Sequence, residues 1–127
     1  MLQNAVKSYQ SVDKESMSGR ETEARVLTQG ALKLIDCKKN WDAPDRNSRL
    51  DAALRYNQRI WTFFQVEAAR SENPLSVDIK QNIIHLSRFI DQRTFDTMAF
   101  PEPHKLDILI RINQNIAAGL RGSASDI

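Results

Sequence analysis

Apolar residues recur every three or four positions along most of the chain, and this pattern is interrupted at three segments: 41–44, 71–74 and 99–103. Each interruption contains a proline, which displaces the preceding residue from helical geometry. Spacing of three and four is typical of amphipathic helices. No run alternates apolar and polar residues between turns, as a half-buried strand would. The sequence therefore predicts an all-α protein, a small bundle of four main helices with short, mostly antiparallel connections.

The pattern also predicts which side of each helix faces the core. The first helix begins near Ser18, because Ser18 and Glu21 have the spacing of a capping box. Gly30 within it favours close approach of a neighbour. The second helix covers Leu50–Ala68 and extends towards Arg70, and the third runs from about Leu75 or Ser76 towards Met98. The predicted inward residues are Ala24, Leu27, Ala31, Leu34 and Ile35; Leu50, Leu54, Asn57, Trp61, Phe64 and Ala68; Ile79, Ile83, Leu86, Ile90 and Thr97; and Leu106, Leu109, Ile110, Asn113, Ile116, Ala117 and Leu120.

The ends of the chain are more polar. Leu2, Ala5, Val6 and Tyr9 have helical spacing, which predicts a short N-terminal helix that docks on the bundle or becomes ordered when a partner binds. Residues 1–122 are expected to form a single domain, and residues 123–127 a flexible tail.

Two predicted helices place an asparagine in the middle of an apolar stripe, Asn57 in the second helix and Asn113 in the last. A buried amide of this kind fixes helix register or bonds to a neighbouring helix. We therefore interpret both asparagines as structural.

Composition narrows the class of protein. The chain has 127 residues, with 18 Lys+Arg against 16 Asp+Glu, so its charge gives no strong attraction to nucleic acid or membranes. Cys37 is the single cysteine, which favours a reducing compartment. No apolar run approaches the roughly 18 residues that span a bilayer, and the first residues do not resemble a secretion signal. We expect a cytoplasmic protein.

Residues that carry chemistry are sparse. His85 and His104 lie on different predicted elements without metal-ligand partners at suitable spacing. Cys37 has a lysine neighbour that could favour a thiolate, but a half-buried helix residue is the preferred interpretation. We expect no catalytic residues, no metal and no cofactor, and therefore no enzyme.

Several apolar residues fall outside the predicted core stripes: Phe63 and Val66 in the second helix, and Val77, Ile84 and Phe95 in the third. Such residues either meet another layer of the same domain or form an exposed patch for a partner. We selected Phe63, Val66, Ile84 and Phe95 as partner-binding candidates in a cleft between these two helices, with Arg59 or Arg88 at its rim.

Arg55, Arg59 and Arg70 share the outer side of the second helix, which raises the alternative of nucleic-acid binding. Asp51 and Gln58 dilute this basic patch, so a solvated helix face is the preferred interpretation. A further alternative is a homodimer closed by the off-stripe apolar residues.

Four sequence pieces, in order, resemble the flagellar biosynthesis regulator FlaF family of alphaproteobacteria. They are Tyr9-Gln10, Arg20-Glu21-x-Glu23, Asn57-Gln58-Arg59-Ile60-Trp61 and Ile112-Asn113-x-x-Ile116-x-x-Gly119-Leu120. Trp61 and Gly119 therefore join the two asparagines as motif residues. The chain departs from the family in its termini, with extra residues after Leu120.

The resemblance implies a small cytoplasmic protein needed for flagellin production and export. It would act as a flagellin secretion chaperone, or as a partner of the translational regulator FlbT. A chaperone would hide the apolar face of an unassembled flagellin helix in a groove. The alternative is regulation of flagellin mRNA, either directly or together with FlbT.

Overall fold

The computed structural model describes residues 19–122, which form four α-helices and no strand. The helices are α1 (Gly19–Lys39), α2 (Arg46–Ala69), α3 (Val77–Ala99) and α4 (Leu106–Leu120), and a 3-10 turn, Pro103–Lys105, precedes α4. The predicted all-α fold with four main helices is confirmed. The proposed N-terminal helix, Ser18 of the capping box and the 123–127 tail lie outside the described residues. None of the described helices is long and apolar enough to cross a bilayer.

Local signals explain where α3 begins. The Ser76 side chain accepts a hydrogen bond from the Ile79 amide, which satisfies one of the free donors at the helix start. Asn73 closes the preceding turn, because its amide donates to the Glu67 carbonyl and its side-chain oxygen accepts from the Leu75 amide. The predicted start near Ser76 is therefore correct.

Neighbouring helices run antiparallel, and contacts between them show this directly. Lys38 pairs with Asp107 at one end of α1 and α4, and Glu21 pairs with Arg121 at the other. Ser87 of α3 donates to the Trp61 carbonyl of α2. The start of α1, the end of α2, the start of α3 and the end of α4 consequently lie at the same end of the bundle.

The core of α1, α2 and α4 is built around a buried hydrogen-bond network. Asn113 donates to the Asn57 side-chain oxygen at 2.6 Å and to the Leu27 carbonyl at 3.1 Å. It also accepts a hydrogen bond from Trp61 Nε1 at 2.9 Å. Both asparagines are fully buried. The interpretation that they fix helix register agrees with this network, since one amide connects three helices.

Gly30 makes this network sterically possible. A β-carbon at Gly30 would lie 2.9 Å from Asn113 Nδ2 and 3.1 Å from Asn57 Oδ1, closer than side chains tolerate. The close approach predicted at this glycine is therefore present. Gly119, the other motif glycine, has open space around its missing β-carbon.

The third helix packs differently from the other three. It lies on α2 and makes few contacts with α4, and its buried residues are Ser87, Ile90, Thr94 and Thr97. The prediction that Ile79 faces the core is wrong, because its side chain is 47% exposed. The Lys105–Asp96 ion pair sets the level of α3 against α4. Because α3 has 23 residues and α4 has 15, the first turns of α3, which include Ile79, extend beyond the end of α4.

Candidate apolar cleft

An apolar cleft opens between α3 and α4 at the end of the bundle where α1 begins. Ile83 and Leu86 of α3 line one wall, and Ile116 and Leu120 of α4 line the other. The floor comes from α2, through Trp61, Phe64 and Ala68. The cleft encloses about 210 Å³, less than the roughly 300–1,000 Å³ of small-molecule sites. Its size suits the side chains of a polypeptide better than a cofactor.

The helices α3 and α4 make few contacts with each other, which leaves space between them for the cleft. Leu75 also lines it, just before α3, and this side chain is partly exposed. Ile79 lies on the same stripe of α3 as Ile83 and Leu86 and continues the apolar surface outward. Within the described residues, Leu75 and Ile79 are both partly exposed.

Charged residues from α1 and α2 border the cleft. Arg20, Glu23 and Glu67 all contribute to its lining. Burial raises the pKa of the Glu23 carboxyl, the Glu67 carboxylate raises it further, and Arg20 partly opposes both effects. The cleft is therefore apolar in its interior and has two acidic groups at its edge.

Comparison with known proteins identifies the family. The chain matches the family described as Flagellar protein FlaF over residues 5–120. This chain belongs to the FlaF family. The resemblance inferred from the four sequence pieces is confirmed, and a role in the flagellum follows from it. No curated protein and no solved structure matched the chain.

The six binding candidates selected from helical periodicity do not meet in one cleft of this FlaF-family protein. Phe63 is half-buried, with its ring edge-on to Phe64. It lies two turns after Tyr56, which contacts Lys33 of α1, so Phe63 is on the α1 side of α2. Val66 is exposed on the outer side of α2.

Neither candidate on α3, Ile84 or Phe95, lines the cleft. Ile84 is half-buried and Phe95 is 59% exposed. A helical rise of 1.5 Å per residue separates these two side chains by about 16 Å along the axis. Arg59 and Arg88 are both exposed. The structure thus distributes these residues over two sides of α2 and a long face of α3.

The cleft residues were missed because the sequence assigned them to the core. Ile83, Leu86, Ile116 and Leu120 all lie on predicted inward stripes, yet each is only partly buried. One signal was available: α3 has 23 residues and α4 has 15, so the inward stripe of α3 extends past its neighbour. Unequal lengths of adjacent helices would have indicated an uncovered end.

Exposed apolar residues are concentrated around α3 in this FlaF-family chain. Eight large apolar side chains are exposed within residues 19–122, and six of them lie between Leu75 and Phe100: Leu75, Val77, Ile79, Phe89, Phe95 and Phe100. Isolated exposed apolar residues are normal, whereas a concentration indicates a binding surface. This distribution singles out α3 and its flanks.

Other features offer less chemistry. Two larger and more open depressions are bordered by charged residues, one beside Arg49 and Arg59 and one beside Lys38 and Lys39. Cys37 is buried, and burial raises the pKa of its thiol, which disfavours the reactive thiolate. Within residues 19–122, His, Cys, Asp and Glu form no group of three suited to a metal.

Proposed function

We propose that this FlaF-family protein binds flagellin in the cytoplasm as an export chaperone, by holding an amphipathic flagellin helix in the α3–α4 cleft. It would act by binding and not by catalysis. The observation that carries the proposal is an apolar cleft continued by the uncovered residues Leu75 and Ile79. This location replaces the α2–α3 cleft chosen from sequence, whose candidate residues the structure leaves dispersed.

The shape of the surface suits a helix. Ile79, Ile83 and Leu86 follow one another at spacings of four and three, the same repeat that an amphipathic partner presents. Ile116 and Leu120 provide a second row opposite them. A helix lying between the rows would complete a side of the bundle on which α3 and α4 make little contact.

The energetics favour a partner of this kind. Removing one large apolar side chain from water contributes roughly 1.5–3 kcal/mol. Two or three partner side chains in the cleft, together with Leu75 and Ile79, would offset the entropy lost when a helix becomes ordered. Flagellin segments that remain unpacked before assembly would gain the most, since their apolar faces are otherwise exposed.

Direct binding of flagellin mRNA is less favoured by the charge pattern. Arg55 pairs with Asp51 at 2.9 Å, and Arg70 pairs with Glu67 and Glu72. These carboxylates lie beside the arginines that would contact phosphates, and a net charge of +2 adds little attraction. If this chain does not bind RNA itself, cooperation with FlbT would depend on direct contacts between the two proteins.

The proposal is tested by measuring flagellin binding to two variants of the cleft, Leu75→Asp and Ile79→Asp. Both side chains are partly exposed, so the fold should survive substitution. Each variant should weaken the Kd for monomeric flagellin by about tenfold or more, because a charge would be buried in the complex. Isothermal titration calorimetry measures this change.

Leu32→Asp and Phe95→Asp are matched controls, since both residues are exposed and lie away from the cleft. We expect them to bind flagellin normally. Loss of binding in Phe95→Asp but not in Ile79→Asp would move the site to the outer side of α3. The proposal would be contradicted if the unmodified protein did not bind flagellin. It would also be contradicted if the protein formed a homodimer that flagellin did not dissociate.

A further inference from the structure

Two carboxylates line the α3–α4 cleft together with its apolar residues. Glu67 lies one residue before Ala68 and one turn after Phe64, and both of these form part of the floor. Glu23 reaches the same cleft from α1. The two carboxylates are close enough for the charge of Glu67 to raise the pKa of Glu23. A side chain that enters the cleft therefore meets apolar groups and negative charge together.

Glu23 is the less compensated of the two carboxylates. Its side chain is partly buried, and the removal of its carboxylate from water is the largest cause of its raised pKa. The attraction of Arg20, one turn earlier, is the smallest of the three influences on that pKa. Within residues 19–122, no lysine or arginine forms an ion pair with Glu23. A cation that approached this carboxylate would therefore be attracted to it.

Glu67 already has a partner within the chain. Its carboxylate pairs with Arg70 at 3.4 Å. A carboxylate has two oxygens and accepts several hydrogen bonds, so this pair leaves capacity for a second donor. Glu23 is nevertheless the carboxylate that would gain most from a positive charge supplied by a partner.

Lysine and arginine are the side chains that fit such surroundings. Each has an apolar stem that can lie against the lining of the cleft and a charged end that can reach a carboxylate. We propose that the cleft selects amphipathic helices that carry a lysine or arginine within one turn of their apolar anchors, and that Glu23 recognises this cation. The selection rests on the proposed function, since the helix occupies the same cleft.

This selection would give the cleft a specificity that apolar contacts lack. Burial of apolar surface is non-directional and would accept any amphipathic helix of suitable length. The carboxylates of Glu23 and Glu67 would attract a cation at one position of the partner and repel an acidic residue at the same position. Partner helices would then be distinguished by the charge next to their apolar stripe.

Fluorescence anisotropy with labelled synthetic peptides tests the selection on the full chain. All peptides carry leucines at helical spacings of four and three, and they differ only at one position, one turn from a leucine. This position holds lysine, glutamine or glutamate. The unmodified protein should bind the lysine peptide about tenfold more tightly than the glutamine peptide, and the glutamate peptide most weakly.

The variant Glu23→Gln removes the charge with little change in shape. Its preference for lysine over glutamine should fall to about threefold or less, while its affinity for the glutamine peptide stays the same. Glu23→Asp keeps the charge and should retain a larger preference than Glu23→Gln. Glu102→Gln is the matched control, because Glu102 is 53% exposed and precedes α4 at the other end of the bundle. It should keep the tenfold preference.

Three results would overturn the inference: equal affinity of the unmodified protein for the lysine and glutamine peptides, a full preference for lysine in Glu23→Gln, or no binding of any peptide. Its failure is distinct from failure of the proposed function. Flagellin binding without a preference for the lysine peptide would remove only the selection by charge. A preference for the lysine peptide that depends on Glu23, without any flagellin binding, would instead remove flagellin as the partner.

Discussion

The unit of α1, α2 and α4 and the helix α3 are built on different principles. The three-helix unit buries large apolar side chains completely and connects them through Asn57, Trp61 and Asn113. In α3, Ile90 is the only large apolar residue that is fully buried; the other fully buried residues are Ser87, Thr94 and Thr97, and Leu86 and Met98 pack against the core while partly exposed. Four of its large apolar side chains, Val77, Ile79, Phe89 and Phe95, are exposed.

This difference suggests that α1, α2 and α4 determine the stability of the fold, whereas α3 provides residues for binding. A core fixed by a hydrogen-bonded amide has one arrangement, because a shifted helix would leave buried polar groups without partners. A helix that packs on the core mainly through small and polar residues can keep other apolar residues at the surface, where a partner can bind them. We therefore expect substitutions in the three-helix unit to affect unfolding, and substitutions of Leu75 and Ile79 beside the cleft to affect binding.

The largest effect is expected for Asn113→Ala. This change leaves Trp61 Nε1 and Asn57 Oδ1 without their buried partner and opens a cavity, so the free energy of unfolding should fall by about 3 kcal/mol. Urea unfolding followed by circular dichroism measures the loss. Ser87→Ala is the matched variant in α3 and should cost about 1 kcal/mol or less. Equal losses would remove the distinction between the two regions.

The second effect concerns the two glycines of α1 and α4. Gly30→Ala forces Asn113 and Asn57 apart and should lower the free energy of unfolding by about 1–2 kcal/mol. In Gly119→Ala the new methyl group has open space around it. The better helix propensity of alanine should therefore raise the free energy of unfolding by about 0.5 kcal/mol. Thermal unfolding of both variants gives the comparison. A stabilising Gly30→Ala would mean that the network can shift without cost.

A smaller effect is expected from Glu23, which lies at the cleft. Burial raises the pKa of this carboxyl, so the folded protein binds a proton more tightly than the unfolded chain. The resulting stability is present below the ordinary glutamate pKa and is lost as pH rises through the higher folded pKa. Glu23→Gln should therefore be more stable than the unmodified protein at pH 7, with the difference shrinking towards pH 4. Urea unfolding across this range checks the sign; a difference independent of pH would contradict it.

The smallest effect on stability is expected for Phe95→Asp. The ring is 59% exposed, so the free energy of unfolding should change by no more than about 0.5 kcal/mol. Ile90→Ala, five residues earlier and fully buried, should cost about 2–4 kcal/mol in the same assay. A large loss in Phe95→Asp would show that the outer side of α3 is covered in solution.

Periodicity in the sequence was sufficient for the helices but not for the cleft. It predicted four helices, a start of α3 at about Leu75 or Ser76 and the inward position of Asn57 and Asn113, because each depends on local spacing. It could not show that α4 ends before Ile79, since the relative level of two helices depends on tertiary packing. Periodicity also placed Phe63 in one cleft with residues of α3. The angular position of a side chain on its own helix does not show which neighbouring helix it faces.

The most direct test of the central claim compares two adjacent isoleucines. Ile83 lines the cleft, whereas Ile84, about 100° further round α3, does not. On titration of methyl-labelled protein with monomeric flagellin, the account predicts the largest NMR shifts at the methyl groups of Ile79, Ile83 and Ile116, with Ile84 little changed. Large shifts at Ile84 with Ile83 and Ile116 unchanged would contradict it.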